Sequence, residues 1–267
     1  MRFTLSLCLT FFVVSLAIAP RATARTQETG FLDHTLSLHG ATYKDQVYLP
    51  ENWSRKQKWP IILFLHGAGE RGNDGLLQTD VGLPRAIREN RSRFPAIVVL
   101  PQCPAGHQWT QLKMEEMAMA ALAAATKTFK GDPKRTYLTG LSMGGSGSWD
   151  IAARNPGKFA AVVPICGRIV PSQDPINNFS DLAEDAYPDN PKSYADVAQK
   201  IGKTPVWIFH GGSDDTVPVD GSRKMNDALK AAGGNVRYTE YPGVGHNSWD
   251  KAYAEPELMS WLLSKSL

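Results

Sequence analysis

The chain has 267 residues, of which 42% are hydrophobic and 21% charged, with a formal net charge of +3. That is the balance of a globular protein with enough chain for one large core, and no internal repeat or low-complexity tract interrupts it. No dense basic run is present, since "RAIRENRSR" is short and mixed, so strong nucleic-acid binding is excluded as an expectation.

At the N-terminus Arg2 precedes an apolar run from Leu5 to Ala19, followed by Pro20 and the small-x-small stretch Ala22 to Ala24. The run is short for a membrane span of about 20 residues. A basic start, an apolar middle and a small-residue end read as a secretory signal; an uncleaved anchor is the alternative. The expected organisation is a signal peptide over 1–24 and a single domain over 25–267, placed outside the cytoplasm as a secreted or periplasmic protein. Removing the leader takes away Arg2 and Arg21 and leaves 27 bases against 26 acids. Cys8 leaves with it; Cys103 and Cys166 remain, either as a disulfide or as two buried thiols.

Apolar runs of strand type recur at 60–67, 96–102, 136–142, 159–167, 204–211 and 236–242. Most are continuous rather than alternating, as in strands covered on both faces. Helix-like segments lie between or after them at 114–130, 146–155, 193–200, 221–234 and 256–266, several ending at glycine or before proline. Strand and helix in alternation predict an α/β fold with a mostly parallel central sheet flanked by helices on both faces. Ligands in such sheets gather beyond the carboxyl ends of the strands. Those ends read "HGAGERG", "PQCP", "GLSMGG", "PICG" and "HGGSDDTVP". The segment 167–203 is long for a connection, and is read either as a lid insertion or as a solvated excursion.

"GLSMG", from Gly140 to Gly144, matches G-x-S-x-G between an expected strand and an expected helix. That context makes Ser142 a candidate nucleophile on a strained turn. A serine hydroxyl needs a neighbouring base. His246 in "GVGHNSWD" follows the last strand, and Asp214 and Asp215 follow the strand before it. The order serine, aspartate, histidine is that of a hydrolase triad, with Asp215 as the competing acid. An oxyanion needs two donors. Met143 offers its N–H at a helix start, and Ala68 or Gly69 offers one from the loop after an earlier strand. His66 is read as a brace for that turn. No HExxH or clustered spacing marks a metal site, so no metal is expected.

Together, "FLHGAGERG", "GLSMGG", "HGGSDDTVPV" and "YPGVGHNSWD" resemble exported esterases of the α/β-hydrolase superfamily, nearest to the polyhydroxybutyrate-depolymerase and feruloyl-esterase-like group. The resemblance spans roughly Leu49 to Leu267 and departs at 167–203. It implies the α/β-hydrolase fold and ester hydrolysis without a cofactor. It also selects Asp214 as the acid, because the related acyl-protein thioesterases use the first aspartate of this motif, and Ala68 as the oxyanion loop donor.

Trp109 and Trp249 are read as walls of an acyl or aryl pocket or as core caps, and Glu70 and Arg71 as a loop brace or as contacts to a polar substrate. The expected partner is a small-molecule or polymeric ester, with no nucleic acid, no stable membrane span after signal cleavage and an open oligomeric state. A serine carboxylesterase is the leading reading. A peptidase with the same triad and a non-catalytic carbohydrate- or cell-wall-binding module are the rivals.

Overall fold

The computed structural model describes residues 28–170 and 188–267. The expected signal at 1–24 and the stretch 171–187 of the expected lid at 167–203 lie outside the described residues. Among the described residues, no helix is long and apolar enough to cross a membrane.

Among the described residues eight strands form one sheet: β1 (Gly30–Leu38), β2 (Ala41–Leu49), β3 (Trp59–Leu65), β4 (Ile97–Pro101), β5 (Gly131–Leu141), β6 (Ala161–Ile165), β7 (Val206–Gly211) and β8 (Val236–Tyr241). Their spatial order is β1-β2-β4-β3-β5-β6-β7-β8. The pairings β1–β2 and β2–β4 are antiparallel, and the rest are parallel. Among the described residues seven helices accompany them: α1 (Leu83–Glu89), α2 (Leu112–Phe129), α3 (Met143–Arg154), α4 (Pro191–Ile201), α5 (Asp220–Ala231), α6 (Trp249–Ala254) and α7 (Leu258–Leu263).

Chirality explains how the helices divide. The chain leaves β3 for β4 in one direction across the sheet, then returns to β5 and runs on to β8. Right-handed crossovers put helices of opposite travel on opposite faces. Accordingly α2, α3, α4 and α5 contribute Met117, Trp149, Val197 and Met225 to one core layer. The other layer takes Ile87 of α1, Tyr253 of α6 and Leu262 of α7. Strands β3, β4, β6 and β7 are buried along their whole length between these layers. Full burial of each such aliphatic or aromatic side chain stabilises the fold by about 1.5–3 kcal/mol before entropy is counted.

The strands β1 and β2 are not among the runs expected from sequence. Half-buried β1 alternates polar and apolar residues, and it is joined to β2 by a tight turn at His39 and Gly40, both at positive φ (49° and 77°). Two consecutive residues there mark the hairpin turn whose twist matches its strands. The expected helix at 193–200 is α4, which begins with Asn190 accepting from the Ser193 N–H at 3.0 Å and Pro191 in the first turn. Its buried residues Tyr194, Val197, Ala198 and Ile201 follow the helical repeat. This part of 167–203 is therefore an ordinary crossover helix packed beside α3 and α5.

Candidate active site

The strand β5 ends at Leu141 and α3 begins at Met143, so Ser142 alone makes the turn, with φ 53° and ψ −115°. A non-glycine residue at positive φ is strained and persists only where its surroundings enforce it. Here the enforcement is backbone crowding. A Cβ on Gly144 would fall 1.9 Å from the Leu65 carbonyl oxygen, and one on Gly140 would fall 2.3 Å from that of Gly144. The glycines thus let α3 start directly against the ends of β3 and β5. The Ser142 N–H is tied to the Ile165 carbonyl at 2.9 Å, which fixes the turn to β6.

Two loops bring the partners. Beyond β7, Asp214 is buried, and its Oδ1 accepts the N–H groups of Thr216 and Val217, each at 2.9 Å. Beyond β8, the half-buried His246 donates from Nδ1 to Asp214 Oδ2 at 2.8 Å. Because that nitrogen carries the proton, Nε2 is the acceptor, and it receives the Ser142 hydroxyl at 2.9 Å. Residues separated by 104 positions are joined in one line of hydrogen bonds. Asp215 is exposed, and among the described residues its carboxylate accepts from the neighbouring Thr216 hydroxyl, at 3.4 Å.

Burial by itself would raise the Asp214 pKa. The hydrogen bonds from His210, His246 and the Val217 N–H outweigh it and hold the carboxyl well below its ordinary range. His210 is a participant that sequence reasoning passed over. It is fully buried, donates from Nε2 to the Val217 carbonyl at 2.9 Å, and faces Asp214 Oδ2 at 3.2 Å. Its Nδ1 accepts the Ser222 hydroxyl at 2.7 Å. The signal was its place at the end of a buried strand, in "FHGG".

The loop after β3 carries Ala68 as the first residue of a 3-10 turn ending at Glu70. Met143 holds the first position of α3, where backbone N–H groups have no acceptor within the helix. The loop is pinned to the end of β4. His66 Nε2 accepts the Cys103 N–H at 2.9 Å and its Nδ1 donates to the Gly67 carbonyl at 2.6 Å. Burial pushes the His66 pKa down to about 4, so the ring is a neutral brace. Gln102 adds bonds to the Gly75 N–H at 2.7 Å and to the Glu70 carbonyl at 3.2 Å. Arg71 donates from Nε to the Ala68 carbonyl at 2.9 Å. The Glu70 carboxylate curls beneath Gly67, and burial raises its pKa against the pull of nearby backbone N–H groups.

Trp109 lies wholly in the core, so the reading of it as a pocket wall gives way to that of a core cap. Its Nε1 donates to the His66 carbonyl at 3.0 Å, and its Cβ occupies the space above Gly147. Trp249 is half-buried and sets its ring edge-on to His246, with centroids 5.4 Å apart. Cys103 and Cys166 are buried free thiols, each pushed up to about 12 by burial.

The comparisons with known proteins agree with this architecture. A solved structure described as a thermostable esterase superposes with a TM-score of 0.72 at 30% identity, covering 89% of this chain and 63% of that one. An uncharacterized secreted protein of Arthroderma benhamiae is 29% identical over 77% of this chain and 23% of its own length. A protein of Methylorubrum extorquens named "Putative carboxymethylenebutenolidase" is 35% identical over 48% of this chain and 38% of its own. This chain therefore spans well under half the length of these two relatives. The family described as "Putative esterase" matches residues 37–256. That match takes in the elbow, both partner loops and the loop after β3; the chain is an α/β-hydrolase and belongs to this esterase family.

Proposed function

We propose that the chain is an exported serine carboxylesterase in which Ser142 is the nucleophile, His246 the general base and acid, and Asp214 the carboxylate that orients it. The observation that carries this reading is the unbroken line of two hydrogen bonds, at 2.9 and 2.8 Å, from Ser142 Oγ through the imidazole to Asp214.

As the hydroxyl attacks the ester carbonyl, its proton passes to His246 Nε2. The imidazolium is stabilised by the ionised Asp214, which receives the Nδ1 proton in its hydrogen bond without taking it. The negative charge on the carbonyl oxygen is met by the N–H groups of Met143 and Ala68. Each such donor typically lowers the barrier by about 3–4 kcal/mol. His246 then protonates the leaving alcohol, and an acyl group stays on Ser142. Water, deprotonated by the same imidazole, releases the acid and restores the serine. Export is supported by the leader-like run at 5–19 and by the relative named as a secreted protein.

The test is hydrolysis of acetyl, butyryl, long-acyl, feruloyl and polyester substrates beside aminoacyl anilides, with Ser142→Ala as the control. The expected result is ester turnover that vanishes in the variant. Turnover retained in a clean Ser142→Ala preparation would refute the mechanism, and faster cleavage of anilides than of esters would make the enzyme a peptidase.

A further inference from the structure

Behind the base and its carboxylate lies a third group that the proposed reaction does not use. Cys166 follows β6 directly, and its backbone sits at φ 40°, a conformation that is rare for a side chain-bearing residue. Its N–H is held by the Phe209 carbonyl of β7 at 2.9 Å, which fixes the residue between β6 and the Asp214 loop. The Cys166 sulfur, one imidazole nitrogen of His246 and a carboxylate oxygen of Asp214 all lie within 4.8 Å of one another. The Ser248 hydroxyl is close enough to act on the same thiol. That hydroxyl is fully buried and has no hydrogen-bond partner among the described residues.

We infer that Cys166, His246 and Asp214 form an inhibitory site for a soft divalent cation such as Zn2+ or Cd2+, with Ser248 Oγ as a fourth oxygen at its edge. Sulfur, imidazole and carboxylate are the donors such ions select, whereas Mg2+ and Ca2+ require oxygen donors alone. The donors are contributed by three separate loops, which is why no spacing in the sequence marks the site.

Bonds of about 2.0–2.3 Å around a tetrahedral ion place its donors roughly 3.3–3.8 Å apart, so the widest gaps of the trio close by up to about 1.5 Å while His246 Nδ1 and Asp214 Oδ2, 2.8 Å apart, spread by about 0.5–1 Å. The segment that can move is the one bearing His246, whose Pro242, Gly243 and Gly245 are exposed. Coordination releases the thiol proton to solvent. The ion takes the imidazole nitrogen that faces Asp214, Nδ1; the proton held there moves to Nε2, which then has no lone pair for the Ser142 hydroxyl, so His246 ceases to work as a base.

Loss of activity on binding rests on the esterase reading above; binding itself does not. Cd2+ titration of the full chain therefore reads two signals: calorimetric heat with the ultraviolet thiolate-to-cadmium absorption, and ester turnover. The expected result is a single saturable ion per chain, with the absorption and the inhibition rising together and Mg2+ producing neither. In Cys166→Ala and Cys166→Ser the absorption disappears, and the half-inhibiting concentration rises by about 100-fold or more, beyond the roughly 10–100-fold that losing an outer-shell partner alone costs. In Cys103→Ala both signals stay as in the parent. Ser142→Ala, which makes no turnover on the proposed mechanism, still shows the absorption and heat. An absorption that survives in both Cys166 variants, or that follows Cys103 instead, overturns the site. Binding with full retention of turnover overturns the inhibition.

Discussion

The elbow around Ser142 and the loop around His246 meet at one hydrogen bond, but they are built on different principles. The elbow is held by backbone against backbone: Gly140, Gly144 and Gly145 each stand where a Cβ would fall within 2.3 Å of a main-chain oxygen. The histidine loop is exposed at Pro242, Gly243, Gly245 and Asn247, and is anchored by directed bonds such as Ser213 N–H to the Val244 carbonyl at 2.9 Å. Steric necessity dominates around Ser142, whereas the His246 loop combines one such close approach, at Gly211 where a Cβ would fall 2.2 Å from the Gly245 oxygen, with directed hydrogen bonds. Damage to the first should cost the fold, while damage to the second should cost the reaction.

Ser142→Ala breaks the junction itself without adding an atom to the crowded turn. Turnover of a short-chain p-nitrophenyl ester should fall by about 10^4-fold or more, with thermal unfolding unchanged within a few degrees. On the hydrogen-bonded side, Asp214→Asn keeps the shape and reverses the donor–acceptor logic at Nδ1. The expected loss in kcat is about 10^4-fold. Asp215→Asn should leave kcat within about twofold, since this exposed carboxylate bonds the Thr216 hydroxyl rather than His246. Equal losses in the two variants would contradict the assignment of the acid.

Gly144→Ala tests the steric side. Its Cβ would sit 1.9 Å from the Leu65 oxygen, in a place where neither strand nor helix can yield. Urea unfolding should show a loss of about 3 kcal/mol or more, or no soluble protein at all. The brace under the elbow's neighbouring loop should respond to acid. His66 has an ordinary pKa of 6.5 in the unfolded chain and about 4 in the fold, so the unfolded state takes up its proton first. The stability tied to its neutral form is complete above pH 6.5 and is lost as pH falls toward 4, by roughly 3 kcal/mol. Urea titrations across that window should show a slope that His66→Gln reduces. A modest effect is expected at Trp249, whose ring flanks His246. Trp249→Phe should change kcat/KM by less than about tenfold, within the roughly 0.5–1.5 kcal/mol of one aromatic contact.

The same contrast explains what could be read from the sequence. The strands β3, β4, β6 and β7 are buried on both faces, so they stand out as unbroken apolar runs. The β1–β2 hairpin sits at the sheet edge with polar residues outward, and its pattern of alternation around His39-Gly40 is weaker. The helices α1 and α6 are 7 and 6 residues long, too short to show a helical repeat. At the site, the elbow was legible because crowding demands glycines at fixed offsets from Ser142. His246 was legible by its order after the last strand, but the acid only as the pair Asp214 and Asp215, between which the resemblance to known esterases chose. What lies behind them was not: His210 and Gln102 act through a neighbouring carboxylate and a neighbouring loop, and a buried bracing residue leaves no spacing of its own. Trp109 was ambiguous because an indole near a strand end suits both a pocket and a core. The absence of a Cβ at Gly147 decides between them.

The most direct measurement is covalent labelling with a fluorophosphonate, followed by peptide mass analysis. A hydroxyl activated by His246 should yield one adduct, on Ser142, formed in step with loss of ester turnover and absent from Ser142→Ala. A fully active esterase that takes up no label, or that takes it up on a different serine, would contradict the account.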